Sequence, residues 1–426
     1  MTALPAPVTR RSLLLAGFST VVEWYDFTVY LYLATVLARV FYGEGEGSIA
    51  ITLGGFAIAY LLRPLGAMLF GRFGDRHGRR RTLLWSMALM TAAMLVTALL
   101  PTRAAIGPAA GWLLLLLRCV TAFAVGGEYT GVVAYLMEGA APHRRGLVAS
   151  LAAAASEVGG LLAAGVAALT VALLPTPALD GWGWRIPFLV GAALALLVWF
   201  ARAHMEESPA FAAGQAAGTL PERPLRDTLA RHPGGIARGF AISALGSITY
   251  YVGITFVPVF LATAGRLDES RALWLSTLAA VAVIAVTPVI GWLSDRSGRR
   301  RVLVLLALGN AALPLLLFGW MAGGTPAAVL AGALGMAALA GGVSAVGAVA
   351  TAEQLPDHGR LSGLALGATT ATALFGGLTP LVAHLLIART GWTAAPGAMI
   401  AVVALAVLPV LLRLRAPQAA TSASKP

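Results

Sequence analysis

An eleven-residue pattern occurs twice in the chain, once in each half. Residues 71–81 read GRFGDRHGRRR and residues 291–301 read GWLSDRSGRRR. Both fit Gly, three residues, Asp-Arg, one residue and Gly-Arg-Arg-Arg, and each copy lies between two long apolar segments. Repeats of this kind constrain the fold strongly, because each copy is expected to belong to the same structural unit. The chain is therefore predicted to consist of two similar halves.

The segments around the two copies are apolar enough to cross a lipid bilayer. Hydrophobic residues make up 58% of the 426 positions and charged residues 11%, against about 25% charged residues in a soluble domain. A helix that crosses a bilayer needs about 20 apolar residues, and the chain offers about twelve such runs. We therefore predict an all-α membrane protein with twelve transmembrane helices in two six-helix halves.

The predicted helices divide the chain into two halves and a linker. In the first half they cover residues 12–41, 49–70, 82–100, 111–137, 147–174 and 185–203. In the second half they begin near residues 236, 272, 302, 327, 362 and 398. The predicted units are an N-terminal half at 1–203, a polar cytoplasmic linker at 204–235, a C-terminal half at 236–415 and a short tail at 416–426.

The positive charges of the loops predict the orientation of the chain. The formal net charge is +12, and most of the arginines fall in short loops on one side of the predicted membrane. Such an excess marks the cytoplasmic side, so both termini are predicted to be cytoplasmic. Because the charges are explained by orientation, we do not expect nucleic acid as a partner.

The sequence contains no recognisable catalytic or metal site. Cys119 is the only cysteine, so an internal disulfide is impossible. There is no His/Cys cluster for a metal and no visible nucleophile–base constellation. We predict that the protein is not an enzyme and uses neither a metal nor an organic cofactor.

The two copies of the pattern suit loops that control contacts between helices. Glycine lets two helices approach closely, and each aspartate suits a helix N-terminus, whose partial positive charge favours an anion. The candidate gating residues are Gly71, Asp75, Arg76, Gly78 and Arg79 in the first copy and Asp295, Arg296, Gly298 and Arg299 in the second. Alternatively, the clusters serve only to orient the chain in the membrane.

Several motifs resemble one family of membrane carriers. The repeated pattern resembles the loop between helices 2 and 3 of the major facilitator superfamily, which recurs between helices 8 and 9. The other motifs are EWYDF at 23–27, VGGEYTG at 125–131, WGWRIPF at 182–188, ESPAF at 207–211 and FGGLTP at 375–380. In this order they resemble the metabolite:proton symporter family of that superfamily, which includes permeases for citrate, 2-oxoglutarate, shikimate, and proline or betaine.

The resemblance implies a fold, a mechanism and a location. It implies the major facilitator fold, alternating access between its halves, and import of a small metabolite with protons as the coupling ion. It also implies a multi-pass protein of the bacterial inner (plasma) membrane, whose partners are the substrate and the lipid bilayer; we expect a monomer. One departure lies in predicted helix 4, where Arg118 matches the superfamily pattern but the Gln and Gly that should follow are replaced.

Ionisable residues inside the predicted helices are the candidates for proton coupling. A charge at the centre of a membrane helix costs about 2.5–3.5 kcal/mol on insertion scales, so such residues are usually functional. The first half contains Glu23, Asp26, Arg63, Arg118, Glu128 and Glu157. Glu23 and Asp26 share a helix face, and two carboxylates that close can hold a proton near neutral pH. Glu128 and Glu157 are further proton-coupling candidates.

These assignments have structural alternatives. Glu23 and Asp26 are equally suited to pair with Arg63 and Arg118 as a structural ion network. Glu128 lies among glycines that favour close helix packing, which makes a structural or gating role an alternative for it.

The candidate substrate-binding residues come from both halves. They are Arg63, Arg118, Tyr30, Arg185, Tyr250 and Tyr251. An arginine binds a carboxylate bidentately, so the two intramembrane arginines are expected to neutralise an anionic substrate. The tyrosines of predicted helix 7 supply hydroxyls or close over the ligand. In the alternative, Arg185 only anchors its helix and the tyrosines only pack.

The predicted function is secondary active transport, namely proton-coupled import of a small organic anion such as a di- or tricarboxylate. One alternative is a zwitterion such as betaine or proline, whose ammonium would need an aromatic cage that Trp24, Tyr250 and Tyr251 make possible. A proton-driven exporter of the same superfamily is a second alternative. A membrane sensor or a membrane-embedded enzyme is a third, although no signalling domain is visible.

Overall fold

A computed structural model of the chain describes residues 10–77, 79–126, 144–203, 224–265, 267–355 and 360–414. Within these ranges the chain forms helices joined by short turns and contains no strand. The all-helical prediction is therefore confirmed for the described residues.

The chain before residue 204 forms seven main helices in its described part. They are α1 (Arg10–Tyr32), α2 (Glu46–Leu61), α3 (Arg63–His77), α4 (Arg79–Ala98), α5 (Ala109–Ala124), α6 (Arg145–Leu173) and α7 (Arg185–Ala203). Shorter helical pieces cover Ala34–Leu37, Ala38–Tyr42, Arg103–Ile106, Thr176–Ala178 and Leu179–Gly183. The predicted second helix is divided into α2 and α3 at Leu62, just before Pro64, because proline lacks an amide hydrogen and its ring clashes with the preceding turn.

The chain from residue 224 forms a second series of helices. They are α8 (Pro224–Arg231), α9 (Pro233–Tyr250), α10 (Val257–Thr263), α11 (Glu269–Ser297), α12 (Arg299–Gly323), α13 (Pro326–Ala352), α14 (Arg360–Leu364), α15 (Thr379–Thr390) and α16 (Ala395–Leu412). Shorter pieces cover Tyr251–Thr255, Ala365–Thr369, Thr370–Thr372 and Ala373–Leu378. Helix α8 and the start of α9 fall within the segment predicted as the linker. Residues 204–223 of that segment and the predicted tail lie outside the described residues.

Eight helices of the described residues are long and apolar enough to cross a membrane. They cover Gly47–Phe70, Arg145–Leu173, Thr176–Ala201, Glu269–Ser297, Arg299–Gly323, Pro326–Ala352, Ser362–Thr390 and Ala395–Leu412. Pro233–Thr255 and Val257–Thr263, bent by 44°, make a ninth if they count as one span. Leu84–Ala98 and Ala109–Ala124 are shorter apolar helices. The chain is therefore built to cross a membrane many times.

Large apolar side chains cover the outside of the bundle. Trp112 is 73% exposed, Leu173 is 76% exposed and Leu305 is 68% exposed. A soluble monomer rarely exposes contiguous apolar surface, because contact of that surface with water is unfavourable. This apolar surface is suited to contact with the hydrocarbon core of a lipid bilayer.

Helices α6 and α11 form the most extensive contact between the two parts of the chain. At Gly291 of α11 the backbone lies against Ser150 of α6, and an added β-carbon there would overlap the Ser150 side chain. On another side of α6, Gly159 lies against the Val21 carbonyl of α1. Small residues at these positions let the helix backbones approach closely.

Replacing Gly291 with valine is expected to force α6 and α11 apart. The new side chain would overlap Ser150, and overpacking of this kind costs about 1–3 kcal/mol. Thermal unfolding in detergent should therefore show a lower Tm for Gly291→Val. Gly319→Val is the matched control, because nothing beyond its own stretch of helix lies within 4 Å of a β-carbon added at Gly319. A Tm equal to that of the control would contradict the close contact.

Candidate functional site

Five of the six charged residues predicted to lie inside the membrane are buried in the centre of the bundle. They are Glu23 and Asp26 of α1, Arg63 of α3, Arg118 of α5 and Glu157 of α6. The sixth, Glu128, lies outside the described residues. A buried charge is stable only beside an opposite charge or good hydrogen-bond donors. The pairing of these groups therefore decides what the centre can bind.

Asp26 and Arg118 form a bidentate ion pair. The two terminal nitrogens of Arg118 donate to the two carboxylate oxygens of Asp26 at 3.0 and 3.1 Å. The guanidinium carbon also lies 5.6 Å from the ring centre of Tyr30 and 5.7 Å from that of Phe188. The carboxylate oxygens and ring faces stabilise the terminal nitrogens of Arg118 in place of water, whereas its buried Nε has no hydrogen-bond partner among the described residues.

Glu23 and Arg63 form the second ion pair, which continues into two tyrosines. Arg63 donates to the Glu23 carboxylate and to the Tyr60 hydroxyl at 2.7 Å. The Tyr60 hydroxyl is in turn hydrogen-bonded to that of Tyr251. Because Tyr251 belongs to the second series of helices, this chain of hydrogen bonds connects the two parts of the protein.

Glu157 differs from the other two carboxylates because its hydrogen-bond partner is an uncharged hydroxyl group. The Tyr250 hydroxyl donates to a Glu157 carboxylate oxygen at 3.0 Å. Among the described residues no arginine or lysine forms an ion pair with Glu157. The described part of the centre thus contains three carboxylates and two guanidinium groups, and within it Glu157 is the carboxylate without a cation.

An aromatic cluster surrounds these groups. It consists of Trp24, Phe27, Phe56, Tyr60, Tyr250 and Tyr251. Ring centres lie 5.1 Å apart for Trp24 and Tyr250 and 5.4 Å apart for Tyr60 and Tyr251. The Arg63 guanidinium carbon lies 4.4 Å from the ring centre of Phe27. The cluster spans both parts of the chain and can present ring faces to a cation.

Two predicted binding residues have other contacts. The Tyr30 hydroxyl donates to the Thr52 carbonyl at 3.0 Å, so only its ring faces Arg118. Arg185 donates to the carbonyls of Gly181 and Leu100 at 2.9 and 2.8 Å and lies over the Trp184 ring. These contacts hold the start of α7, and the structure does not bring Arg185 to the aromatic cluster.

The second copy of the repeated pattern joins the two parts of the chain at one end of the bundle, here called the motif end (Gly146, Leu147, Asp295 and Arg299). The Asp295 carboxylate accepts hydrogen bonds from the amides of Gly146 and Leu147 at 2.9 and 2.8 Å. These amides open α6, where the helix dipole favours a negative charge. Arg299 binds Asp295 at 2.7 Å.

The motif end extends to a third element. Arg299 also approaches Glu353, at the end of α13, to 3.5 Å. Burial raises the pKa of the Glu353 carboxyl above its ordinary value, and the neighbouring Arg299 guanidinium opposes the rise. Gly298 adopts φ 87° between α11 and α12, a backbone angle that favours glycine. Arg296 lies over the Trp292 ring, 4.0 Å from its centre.

For the gating candidates of the first copy, the structure describes at most the backbone. Gly71, Asp75 and Arg76 lie in α3, and Arg79 opens α4. Gly78 lies outside the described residues. The gating role predicted for this copy stays a prediction.

A cluster that the sequence did not reveal closes the opposite end of the bundle (Arg39, Asp180 and Glu269). Arg39 donates to Asp180 at 3.1 Å and to Glu269 at 2.6 Å. Asp180 precedes α7, whereas Glu269 opens α11 in the second series. Contacts between the two parts of the chain are therefore made at both ends of the bundle.

Comparisons with known proteins identify the family. The profile described as "Sugar (and other) transporter" matches residues 12–231, and the profile described as "Major Facilitator Superfamily" matches residues 239–426. The chain is 33% identical to the ectoine/proline transporter ProP of Corynebacterium glutamicum, over 88% of this chain and 77% of that protein. It is 32% identical to the citrate-proton symporter of Klebsiella pneumoniae, over 88% of this chain and 85% of that protein. The chain belongs to the metabolite:proton symporter family of the major facilitator superfamily.

The fold of this transporter agrees with the family. It matches the proton:xylose symporter XylE bound to 6-bromo-6-deoxy-D-glucose with a TM-score of 0.75 at 19% identity, over 94% of both chains. Members of the family are multi-pass membrane proteins that transport small molecules, are not enzymes and need no cofactor. Within the described ranges, no three His, Cys, Asp or Glu side chains form a group that would hold a metal ion.

Asp26→Asn is expected to destabilise the transporter strongly, because it leaves Arg118 buried without a counter-charge. Removing one partner of a buried ion pair lowers the free energy of unfolding by about 3–5 kcal/mol. Adding Arg118→Gln removes the unpaired charge and should recover a large part of that loss. Unfolding of the four variants of the cycle in mixed SDS micelles measures the coupling.

Arg271→Gln is the control for this cycle. Its ion pair with Asp268 is exposed, at 78% and 57% for the two side chains, so the change should cost less than about 1 kcal/mol. Strictly additive effects of the Asp26 and Arg118 substitutions would contradict the buried pair.

Proposed function

We propose that this transporter imports a small zwitterionic metabolite together with protons. In this proposal the chain has twelve transmembrane helices in two six-helix halves, 1–203 and 236–415, and works as a monomer in the bacterial inner membrane. The motif end and both termini face the cytoplasm, in agreement with the excess of arginine in the loops of that side.

The charge balance of the buried centre supports a zwitterion. Arg63 and Arg118 are each paired with a carboxylate, and Glu157 is the remaining acid among the described residues of the centre. When Glu157 holds a proton, these five groups carry no net formal charge. A substrate with an excess charge would have to be buried without a partner, which is costly. A zwitterion meets the requirement of zero net charge, and a dicarboxylate does not.

The aromatic cluster and Arg63 supply the two kinds of contact that a zwitterion needs. The ring faces of Trp24, Tyr250 and Tyr251 can attract a substituted ammonium group. The Arg63 guanidinium, at the edge of the cluster, can bind the substrate carboxylate. Ectoine and proline, named for the relative at 33% identity, each combine a nitrogen cation with a carboxylate in one small molecule.

Glu157 is the proton site in this proposal. An ionised Glu157 is a buried charge supported by the Tyr250 hydroxyl, whereas a protonated Glu157 is neutral and tolerates burial. Protonation therefore favours the closed centre, and contact with the cytoplasm favours loss of the proton. Because Tyr250 belongs to the second half, the proton is coupled to the relative position of the halves.

Alternating access follows from the contacts at the two ends. Closure at both ends is the arrangement expected of an occluded intermediate between outward-open and inward-open states. Opening to the outside requires the Arg39–Glu269 contact to break, and opening to the cytoplasm requires the contacts of Asp295 with α6 to break. In this proposal both copies of the repeated pattern act as gates, with Asp75 and Arg79 serving the first copy.

The second candidate is an organic anion. Two arginines in the centre favour it, as does the similarity to a citrate-proton symporter. Here protonation of Glu23 or Asp26 would release Arg63 or Arg118 for a substrate carboxylate, so that proton and substrate would assist each other's binding.

Uptake into proteoliposomes under an imposed inward proton gradient distinguishes these substrates. The panel is glycine betaine, proline, citrate, 2-oxoglutarate, succinate and shikimate, each with and without an uncoupler. We expect uncoupler-sensitive accumulation of glycine betaine or proline, because the protonated centre is neutral. Accumulation of a di- or tricarboxylate would establish the organic anion instead. Transport only in the outward direction would identify an exporter and overturn the proposal.

Glu157→Gln is expected to abolish accumulation against a gradient and to preserve exchange of the substrate across the membrane. Glutamine still offers an oxygen to the Tyr250 hydroxyl but cannot take up or release the proton. Net uptake and equilibrium exchange, measured on the same proteoliposomes, separate the two activities. Glu44→Gln, the same change at an exposed glutamate, is the control. Normal accumulation by Glu157→Gln would remove Glu157 as the proton site.

A further inference from the structure

A cavity of about 600 Å³ lies near the motif end, between three helices of the second half. It is formed by the second turn of α9, the residues that follow α13 and the end of α16. Its lining consists of Ala237, Arg238, Gln354, Pro409, Val410 and Arg413. Gln354 comes directly after Glu353, which Arg299 of the motif end approaches. Sites for small ligands have volumes of about 300–1,000 Å³, so the cavity is large enough for one polar headgroup.

The described lining of this cavity carries positive charge and no negative charge. Arg238 and Arg413 are its charged side chains. Neither of them forms an ion pair with a carboxylate in the described part of the chain. Arg299 of the motif end, by contrast, is paired with Asp295. Two like charges in one cavity repel each other, and an anion bound by both arginines would offset that repulsion. The cavity therefore favours an anionic ligand.

Gln354 holds the Arg238 guanidinium in position. Its side-chain oxygen accepts a hydrogen bond from the Arg238 Nε at 2.8 Å, and its side-chain nitrogen donates to the Ala350 carbonyl of α13 at 3.1 Å. With Nε engaged, the two terminal nitrogens of Arg238 remain for the oxygens of a ligand. The planar fork of an arginine matches the geometry of a phosphate group. The fixed guanidinium thus favours a phosphate over a compact anion such as chloride.

An exposed apolar row on α16 favours a lipid over a soluble phosphate. Val402 and Leu405 are 65% and 56% exposed, and Leu412 is 46% exposed. Val402, Leu405 and Pro409 follow one another at steps of three and four residues, which places them on one face of the helix. Arg413 continues this row at the cavity. Because α16 is long and apolar enough to cross a membrane, the row leads from the hydrocarbon region to the two arginines.

We propose that this cavity binds the headgroup of an anionic phospholipid. Arg238 and Arg413 bind the phosphate oxygens, and the acyl chains lie along the apolar row of α16. Basic pockets between transmembrane helices bind anionic headgroups on the cytoplasmic side, which is the side of the motif end in the proposed function. No lining residue belongs to the buried ion pairs or to the aromatic cluster, so the lipid site is separate from the substrate site.

Lipid binding to the purified full chain tests the proposal. The protein in mild detergent is titrated with phosphatidylglycerol or with phosphatidylcholine of the same acyl chains, and native mass spectrometry measures the bound lipid. We expect the wild type to bind phosphatidylglycerol more tightly. Arg238→Gln and Arg413→Gln should each weaken that binding by about fivefold or more, since one basic residue near an anionic lipid contributes about this factor. Binding of phosphatidylcholine should stay unchanged.

Arg301→Gln is the matched control. It removes the same charge from an exposed residue at the start of α12, outside the cavity lining, and should bind phosphatidylglycerol as the wild type does. Arg413 is exposed as well, so Arg413→Gln is expected to fold. It tests the site by itself if loss of the Gln354 contact destabilises Arg238→Gln.

Glycerophosphoglycerol, the same headgroup without acyl chains, distinguishes a lipid from a soluble phosphate ester. We expect it to bind much more weakly than phosphatidylglycerol, and equal affinities would overturn the assignment to a lipid. Equal binding of the two lipids by the wild type would also overturn the proposal. So would phosphatidylglycerol binding that Arg413→Gln retains in full or that Arg301→Gln loses to the same extent. These measurements contain no transported substrate, so their failure leaves the proposed function standing.

Discussion

Two ion pairs buried in the helix bundle determine the arrangement of the centre of this protein. Asp26–Arg118 and Glu23–Arg63 attach α1 to α5 and α3, so the helix that carries both carboxylates is joined to two other helices of its half. Neither pair could be opened without a proton or a ligand to replace the lost partner. The aromatic cluster and the Tyr60–Tyr251 hydrogen bond lie next to the Glu23–Arg63 pair, through the contacts of Arg63 with Phe27 and Tyr60.

The sequence was sufficient to predict an all-helical membrane fold and insufficient to predict the side-chain pairings inside it. Apolar runs and the repeated pattern predict the helices, and the rarity of charges inside them identified Glu23, Asp26, Arg63, Arg118 and Glu157. Which acid meets which arginine depends on the rotation and depth of each helix, and those follow from packing of the whole bundle. The spacing of Tyr60, three residues before Arg63 and on the same helix face, was the available signal for that tyrosine.

Arg39 was missed for a related reason. A lone arginine at the end of a membrane helix is usually an orientation signal, and nothing near it in sequence suggests another role. Its partners Asp180 and Glu269 lie 141 and 230 residues away. The contact with Asp180 comes from packing within the first half, and the contact with Glu269 comes from the association of the two halves. No local pattern of residues encodes either contact. The π-helical turn at Tyr251–Thr255 was likewise not predicted.

The contact between α6 and α11 has a mechanical consequence. Gly291 and Gly146 bring bare backbone to the surface, with Ser150 as the neighbouring short side chain. Such a surface has few rotamers to reorganise, so sliding or tilting across it requires little loss of side-chain entropy. At these positions the two halves therefore meet through backbone and small side chains. If the halves move as proposed, the polar contacts of Asp295 with the amides of Gly146 and Leu147 oppose that movement at the motif end more than side-chain packing does.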